Sequence, residues 1–151
     1  MNVEITRQKQ KIDTLFSKVS AIADEEIKAH YSKYLCVLVS GFVETSLRSM
    51  LEDYANRRAH KNIANFVSDR LGYATNLNQQ KIVNLLNSFN SAWGDLFMQL
   101  PIEYKEAFDT VIANRNLIVH GTPVTITYVR IKEFYSYIHR GIDSIYKIVN
   151  S

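Results

Sequence analysis

Apolar residues return at three- and four-residue steps along nearly the whole chain, the period of helices that bury one face. Ile5, Ile12, Leu15, Phe16, Val19, Ile22 and Ala23 follow it with Lys9, Lys11, Asp13 and Lys18 between them, which predicts a first amphipathic helix. Asp24 either caps a second helix or is an exposed acid on one that runs on towards His30. A long helix is expected over roughly 25–59, apolar nearly all round from Tyr34 to Val43, then narrowing to Val43, Leu47, Met50, Leu51 and Tyr54. A helix apolar on all sides must be covered on all sides. In a chain of 151 residues a second subunit is one source of that cover, which motivates a homodimer. The ten-residue run is about half the ~20 residues that span a bilayer, so it reads as a buried segment.

Ile63, Phe66, Val67 and Leu71 mark a short helix closed by Gly72, a residue suited to the left-handed position after a helix end. The stretch 73–77 is polar and turn-like. From an Asn78 cap, Ile82, Leu85, Leu86 and Phe89 repeat the helical spacing, and Trp93, Leu96, Phe97 and Leu100 repeat it again: two short helices or one bent one. Pro101 suits the first turn of the next helix, whose stripe is Tyr104, Phe108, Val111 and Ile112, with Arg115 on the same face, ending at Gly121-Thr122-Pro123. Residues 124–129 alternate β-branched side chains and are the only strand-like piece. After them Ile131, Phe134, Tyr135, Ile138, Ile142, Ile145, Tyr146 and Val149 form one more helical stripe. The expectation is an all-α antiparallel bundle of about five to seven helices, a single domain over 1–151.

Composition adjusts this picture little. Five glycines and two prolines leave scant punctuation for a strand-rich fold. A net charge of +3 permits a polyanionic partner without indicating one. Cys36 is the only cysteine, so no intramolecular disulfide can form. Residues 1–15 are charged and amphipathic and lack the order of a secretory signal, which predicts a cytoplasmic location.

Chemistry is suggested in one place. On the helix expected over 102–120, Asp109, Ala113, Asn116 and His120 share a narrow face at 100° per residue, a polar row beside the apolar stripe. Arg115 stands on the apolar side, and a guanidinium that cannot be deprotonated must there reach solvent, a carboxylate or a bound anion. The ordinary alternative is a cation in the last turn before glycine, complementing the helix dipole.

The string Asp109-Thr-Val-Ile-Ala-Asn-Arg115-Asn116-Leu-Ile-Val-His120-Gly121 resembles the R-N-x-x-x-H signature of the HEPN superfamily, and looks most like its RiboL-PSP type, with an upstream Asp and a trailing His-Gly. A long early helix carrying an internal Glu44, short middle helices and a final amphipathic helix fit the same pattern. The resemblance implies a helical domain that dimerises and, in many members, a metal-independent endoribonuclease with two motifs facing one another. Arg115 and His120 would then be catalytic, with Asn116 the polar residue after the Arg. Asn114 stands where some members have Lys. The implied setting is a toxin or antiviral defence effector, with an antitoxin or other defence-system protein as a possible partner.

The residue types suit that chemistry on their own terms. Attack by a ribose 2′-OH needs a group that takes a proton near neutral pH, as His does. Charge building on the phosphate oxygens needs a fixed cation, as Arg supplies. Asp109 and Glu44 are supporting candidates. Glu44 lies in the most apolar stretch and has Arg115 or Arg48 as a partner, with a structural ion pair favoured over a catalytic role. Arg57, Arg58 and Lys61 form a basic cluster that either holds RNA phosphates or is a solvated helix end. His30, His60 and His139 lack metal-ligand spacing, so neither metal nor cofactor is expected. The nine tyrosines mostly lie on or beside core stripes. Two other functions stay open: a catalytically silent HEPN module that binds RNA or a nucleotidyltransferase-like partner, and a structural dimerisation domain.

Overall fold

A computed structural model describes residues 2–151. It contains seven helices: α1 (Val3–Ser20), α2 (Glu25–Arg58), α3 (Lys61–Leu71), α4 (Gln79–Phe89), α5 (Ser91–Met98), α6 (Ile102–Val119) and α7 (Tyr128–Val149). Among the described residues 81% are helical and none is in a strand.

Side-chain caps explain most of the boundaries. Asn2 opens α1 by accepting from the Glu4 and Ile5 amides. Asp24 settles the break before α2: its Oδ1 accepts from the Ile27 amide at 3.0 Å. Asn90 turns the 79–98 region into two helices, because its own amide closes α4 on the Leu86 carbonyl while its Oδ1 accepts from Ala92 and starts α5. Thr127 caps α7 through the Arg130 amide.

Two local expectations are corrected. Gly72 does not take a left-handed conformation: its φ is −59°, and the non-glycine residue at positive φ is Asn76, further along the same linker. Pro101 occupies the cap position just before α6 rather than its first turn. The strand-like stretch pairs with nothing among the described residues: residues 122–127 are in neither helix nor strand, and buried Ile126 pins them to the core.

α2 is the spine, packing against α1, α3, α6 and α7, while α6 and α7 also pack on each other. By length and composition alone it is apolar enough to cross a membrane, yet more than half of that window is buried inside the bundle. Leu35, Cys36, Val39, Phe42 and Val43 are all covered by the chain itself, so a second subunit is not needed to bury them. Val37, Leu38 and Gly41 line a groove against α1. Fully buried Phe42, Phe97, Phe108 and Leu47 anchor the core, each contributing roughly 1.5–3 kcal/mol by leaving water. Phe16 stacks on Tyr135 at 4.8 Å between centroids and ties α1 to α7. α7 approaches α6 so closely at Gly141 that a Cβ there would lie 2.8 Å from the Phe108 ring. That contact orients the middle of α6, the helix that carries the candidate site.

Candidate functional site

α6 ends in a double hydrogen-bonded cap. The Gly121 amide donates to the Ile118 carbonyl at 3.1 Å and the Thr122 amide to the Leu117 carbonyl at 2.9 Å, with Gly121 at φ +73°. This is the Schellman pattern, in which a left-handed residue satisfies the last carbonyls of a helix. His120 is the C-cap residue itself, exposed, with its amide donating to the Asn116 carbonyl. The Gly that follows the His in the sequence therefore ends the helix at a defined place and leaves the imidazole on its rim.

One turn earlier Arg115 is half-buried, and its Nη1 donates to Asn76 Oδ1 and to Asn116 Oδ1, both at 3.2 Å. No carboxylate pairs with it among the described residues. Glu44 does not reach Arg115. Its Oε1 accepts from the Asn76 amide at 2.9 Å, and its Oε2 lies 3.8 Å from Arg48. Arg48 in turn donates to the Ala74 carbonyl at 3.0 Å. Of the two partners expected for Glu44, Arg48 is the one found.

Asp109 also serves the linker between α3 and α4. One oxygen accepts from the Gln79 amide at 2.8 Å and the other from the Gln79 side chain at 2.7 Å. A carboxylate at the first turn of α4 satisfies an amide with no partner inside that helix and complements its dipole. Charged side chains of α2 and α6 thus strap residues 74–79 down from four points, and two of them, Glu44 and Arg115, meet at Asn76.

Sequence reasoning missed Asn76 and Gln79. A signal was present for the first, because Asn is among the few non-glycine residues that enter the left-handed region readily, and it stood in a polar linker. Nothing in the sequence marked Gln79.

The polar row on α6 is brought together in part. Asp109, Ala113 and Asn116 line one cleft of about 490 Å³ with the start of α4, and His120 does not line it. The basic cluster lies elsewhere. Arg57 is thirteen residues beyond Glu44 on α2, about 20 Å along the helix, and donates to Asn150 at 2.6 Å. Arg58 sits over the Tyr54 ring at 4.3 Å, and Lys61 is exposed in the first turn of α3. His60 caps α3, accepting from the Asn62 amide. Cys36 is buried, donates to the Val111 carbonyl, and burial pushes its thiol up to about 12, which rules it out as a thiolate nucleophile at neutral pH. No three His, Cys, Asp or Glu residues among those described gather as a metal site.

No curated protein and no solved structure matches the chain. The family model for RiboL-PSP-HEPN does match it, over residues 3–151, which takes in every helix from α1 to α7 and the Arg115 to His120 motif. The chain belongs to the RiboL-PSP-HEPN family.

Proposed function

We propose that this protein is a metal-independent endoribonuclease that cleaves RNA by attack of the 2′-OH on the neighbouring phosphate. The observation that carries the proposal is the state of Arg115: a half-buried guanidinium fixed by two neutral amide oxygens, with no carboxylate among the described residues to cancel its charge. A cation so placed costs free energy unless it meets an anion. A phosphodiester is the anion for which its planar donors are best shaped.

His120 supplies proton transfer in this reading. As base it takes the 2′-OH proton, the 2′ oxygen bonds to phosphorus, and the 5′ oxygen leaves with a proton from an acid, giving a 2′,3′-cyclic phosphate end. Arg115 stabilises the equatorial oxygens as charge builds there, and Asn116 holds the guanidinium in register. Residues five apart on a helix point about 140° apart, so one motif does not close on one phosphate by itself. A homodimer with the motifs facing one another supplies a base from one chain and an acid from the other. A cytoplasmic toxin or defence effector restrained by an antitoxin is the setting that this reading and membership of the family support.

The test is cleavage of RNA by purified protein in the presence of a chelator, beside His120→Ala and Arg115→Ala proteins shown to be folded by circular dichroism. Loss of cleavage in both variants, with cyclic phosphate ends from the wild type, supports the proposal. Cleavage unchanged in both overturns it. The exposed, unconstrained position of His120 favours one second reading, a silent module that binds RNA through Arg115 without cutting it. That reading requires RNA binding lost in Arg115→Ala and kept in His120→Ala, with no cleavage by any of the three proteins.

A further inference from the structure

The cleft beside Arg115 has a chemistry unlike that of an anion site. Its only ionisable lining residue is Asp109, a carboxylate, so it disfavours a phosphate. Its apolar surface comes from Val83, Met98 and Ile112, and its polar lining is mainly amide: Asn78, Gln79, Gln80 and Asn116. A cleft lined by apolar side chains and a few placed polar groups is suited to a flat uncharged heterocycle, and about 490 Å³ lies within the usual range for small-molecule sites.

The amides are not free to present either end. Gln79 Nε2 is bound to the Asp109 carboxylate, which accepts only, so the orientation of the Gln79 amide is fixed, with Oε1 as its acceptor and one N–H of Nε2 already taken. Asn116 Oδ1 accepts from the Arg115 guanidinium, which donates only, so Asn116 offers Nδ2. Asn78 Oδ1 caps α4 on the Lys81 amide, so Asn78 also offers Nδ2. The cleft is therefore lined by amides of fixed orientation, with Gln79 Oε1 able to accept and the Asn78 and Asn116 Nδ2 groups able to donate. Nucleobase edges carry the complementary arrangement, with a donor group next to an acceptor.

We infer that this cleft binds one nucleobase of the RNA substrate and sets the nucleotide preference of cleavage, with Asn116 joining it to the phosphate held at Arg115. The inference rests on the reading of Arg115 as a phosphate site. Asp109 acquires a second role here: besides anchoring α4, it fixes the orientation of the Gln79 amide. Gln79 and Asn78 are specificity-determining residues, and Asp109 is a positioning residue.

Two measurements test this separately from the nuclease reading. In the first, the His120→Ala protein is titrated with each of the four ribonucleosides, with each 3′-monophosphate and with inorganic phosphate. One nucleoside should bind about tenfold more tightly than the weakest, the size expected of one well-matched pair of hydrogen bonds. Ala113→Leu, a helix-compatible change on an exposed position that fills the cleft, should remove that preference. Its binding of inorganic phosphate should persist and be lost instead in Arg115→Ala. Gln80→Ala, at the exposed rim, should weaken the same nucleoside by a smaller factor and guards against an effect of Ala113→Leu on folding.

In the second, cleavage of an RNA of mixed sequence by wild type should favour one nucleotide at one position beside the cut. Ala113→Leu should cut more slowly and with that preference flattened. Equal affinity for all four nucleosides, or a preference that Ala113→Leu and Gln80→Ala leave in place, overturns the inference. Absence of cleavage by wild type, with selective nucleoside binding intact, sinks the nuclease and with it the cleavage preference, and leaves the cleft standing as a base-binding site.

Discussion

Asn76 and Arg115 lie 39 positions apart in sequence and meet through Arg115 Nη1 and Asn76 Oδ1 at 3.2 Å. Asn76 reaches that position only because its backbone is left-handed, at φ 52°, and because its amide is held by Glu44 on α2. One asparagine thus carries the influence of a buried-helix carboxylate to the guanidinium on α6. Arg115 and Glu44 act on the same residue without touching each other.

This relationship separates two effects of replacing Asn76. Asn76→Gly keeps the backbone conformation at little cost and deletes the amide oxygen, so stability should change by less than about 1 kcal/mol, the net worth of one hydrogen bond. Cleavage should fall roughly tenfold as the guanidinium loses a fixed partner. Asn76→Ala loses the same bond and adds left-handed strain of roughly 1–2 kcal/mol. Urea denaturation beside cleavage rates distinguishes the two. Equal activity in Asn76→Gly and wild type would remove Asn76 from the site.

Glu44→Ala should destabilise by about 1–3 kcal/mol, because it strands the Asn76 amide and leaves half-buried Arg48 without its carboxylate. Glu44→Gln keeps an acceptor for Asn76 and should recover most of the stability and most of the cleavage. A catalytic carboxylate would behave otherwise, since Gln would then be as inactive as Ala. Thermal melts and cleavage rates for both variants decide between an ionic role and a positioning one.

How much of this was legible before the structure follows from which forces are local. The helices were legible because burial imposes a 3.6-residue period on Phe108, Val111 and Ile112 as it does on Ile131, Ile138 and Ile145. The Asn78 cap was legible because it bonds to an amide three residues on, whereas the sequence leaves Asp24, which does the same, between two alternatives that the structure decides. Arg115, Asn116 and His120 could be singled out because they break or follow the pattern of one helix. Asn76 could not, since its role is fixed by Glu44 and Arg115, which are brought to it only by the packing of α2 and α6. Gly72 was misread for the same reason: glycine tolerates the left-handed region without requiring it, and the turn falls four residues later. The groove and the cleft depend on how α1 and α4 lie against their neighbours, which periodicity does not encode.

Gly121→Ala should cost roughly 1 kcal/mol, because φ +73° is a conformation that a Cβ disfavours, although no neighbouring atom lies within 4 Å of the added methyl. The penalty is therefore conformational and is confined to the cap beside His120. Cleavage should fall by more than the small unfolded fraction accounts for. Hydrogen exchange at the Gly121 and Thr122 amides should quicken while the core of α6 stays protected. Unchanged exchange at those two amides would show that the cap survives the substitution and that His120 is not placed by it.

Stability should also depend on pH through His139, on α7 and away from Arg115. Its Nε2 is 3.4 Å from Asp143 Oδ2, and its Nδ1 is buried without a partner among the described residues. Burial is the largest influence and lowers its pKa. Asp143 and Asp13 oppose that shift and Lys9 and Arg140 assist it, leaving the net value below the ordinary 6.5. The folded protein then holds fewer protons than the unfolded chain as pH falls through 6.5, so stability must decline with falling pH across that window, and stop declining once the folded imidazole has titrated. Asp13 acts lower down. Burial raises its carboxyl, but hydrogen bonds from Lys9 and Tyr135 more than offset this and leave it below 3.8, so its contribution is present above 3.8 and lost as pH falls through the folded value. The denaturation midpoint should therefore drop as pH falls through 6.5, and His139→Gln should flatten that drop without altering the further loss as pH falls below 3.8. A midpoint in wild type that stays level through the upper window would mean that Asp143 compensates the burial of His139 in full.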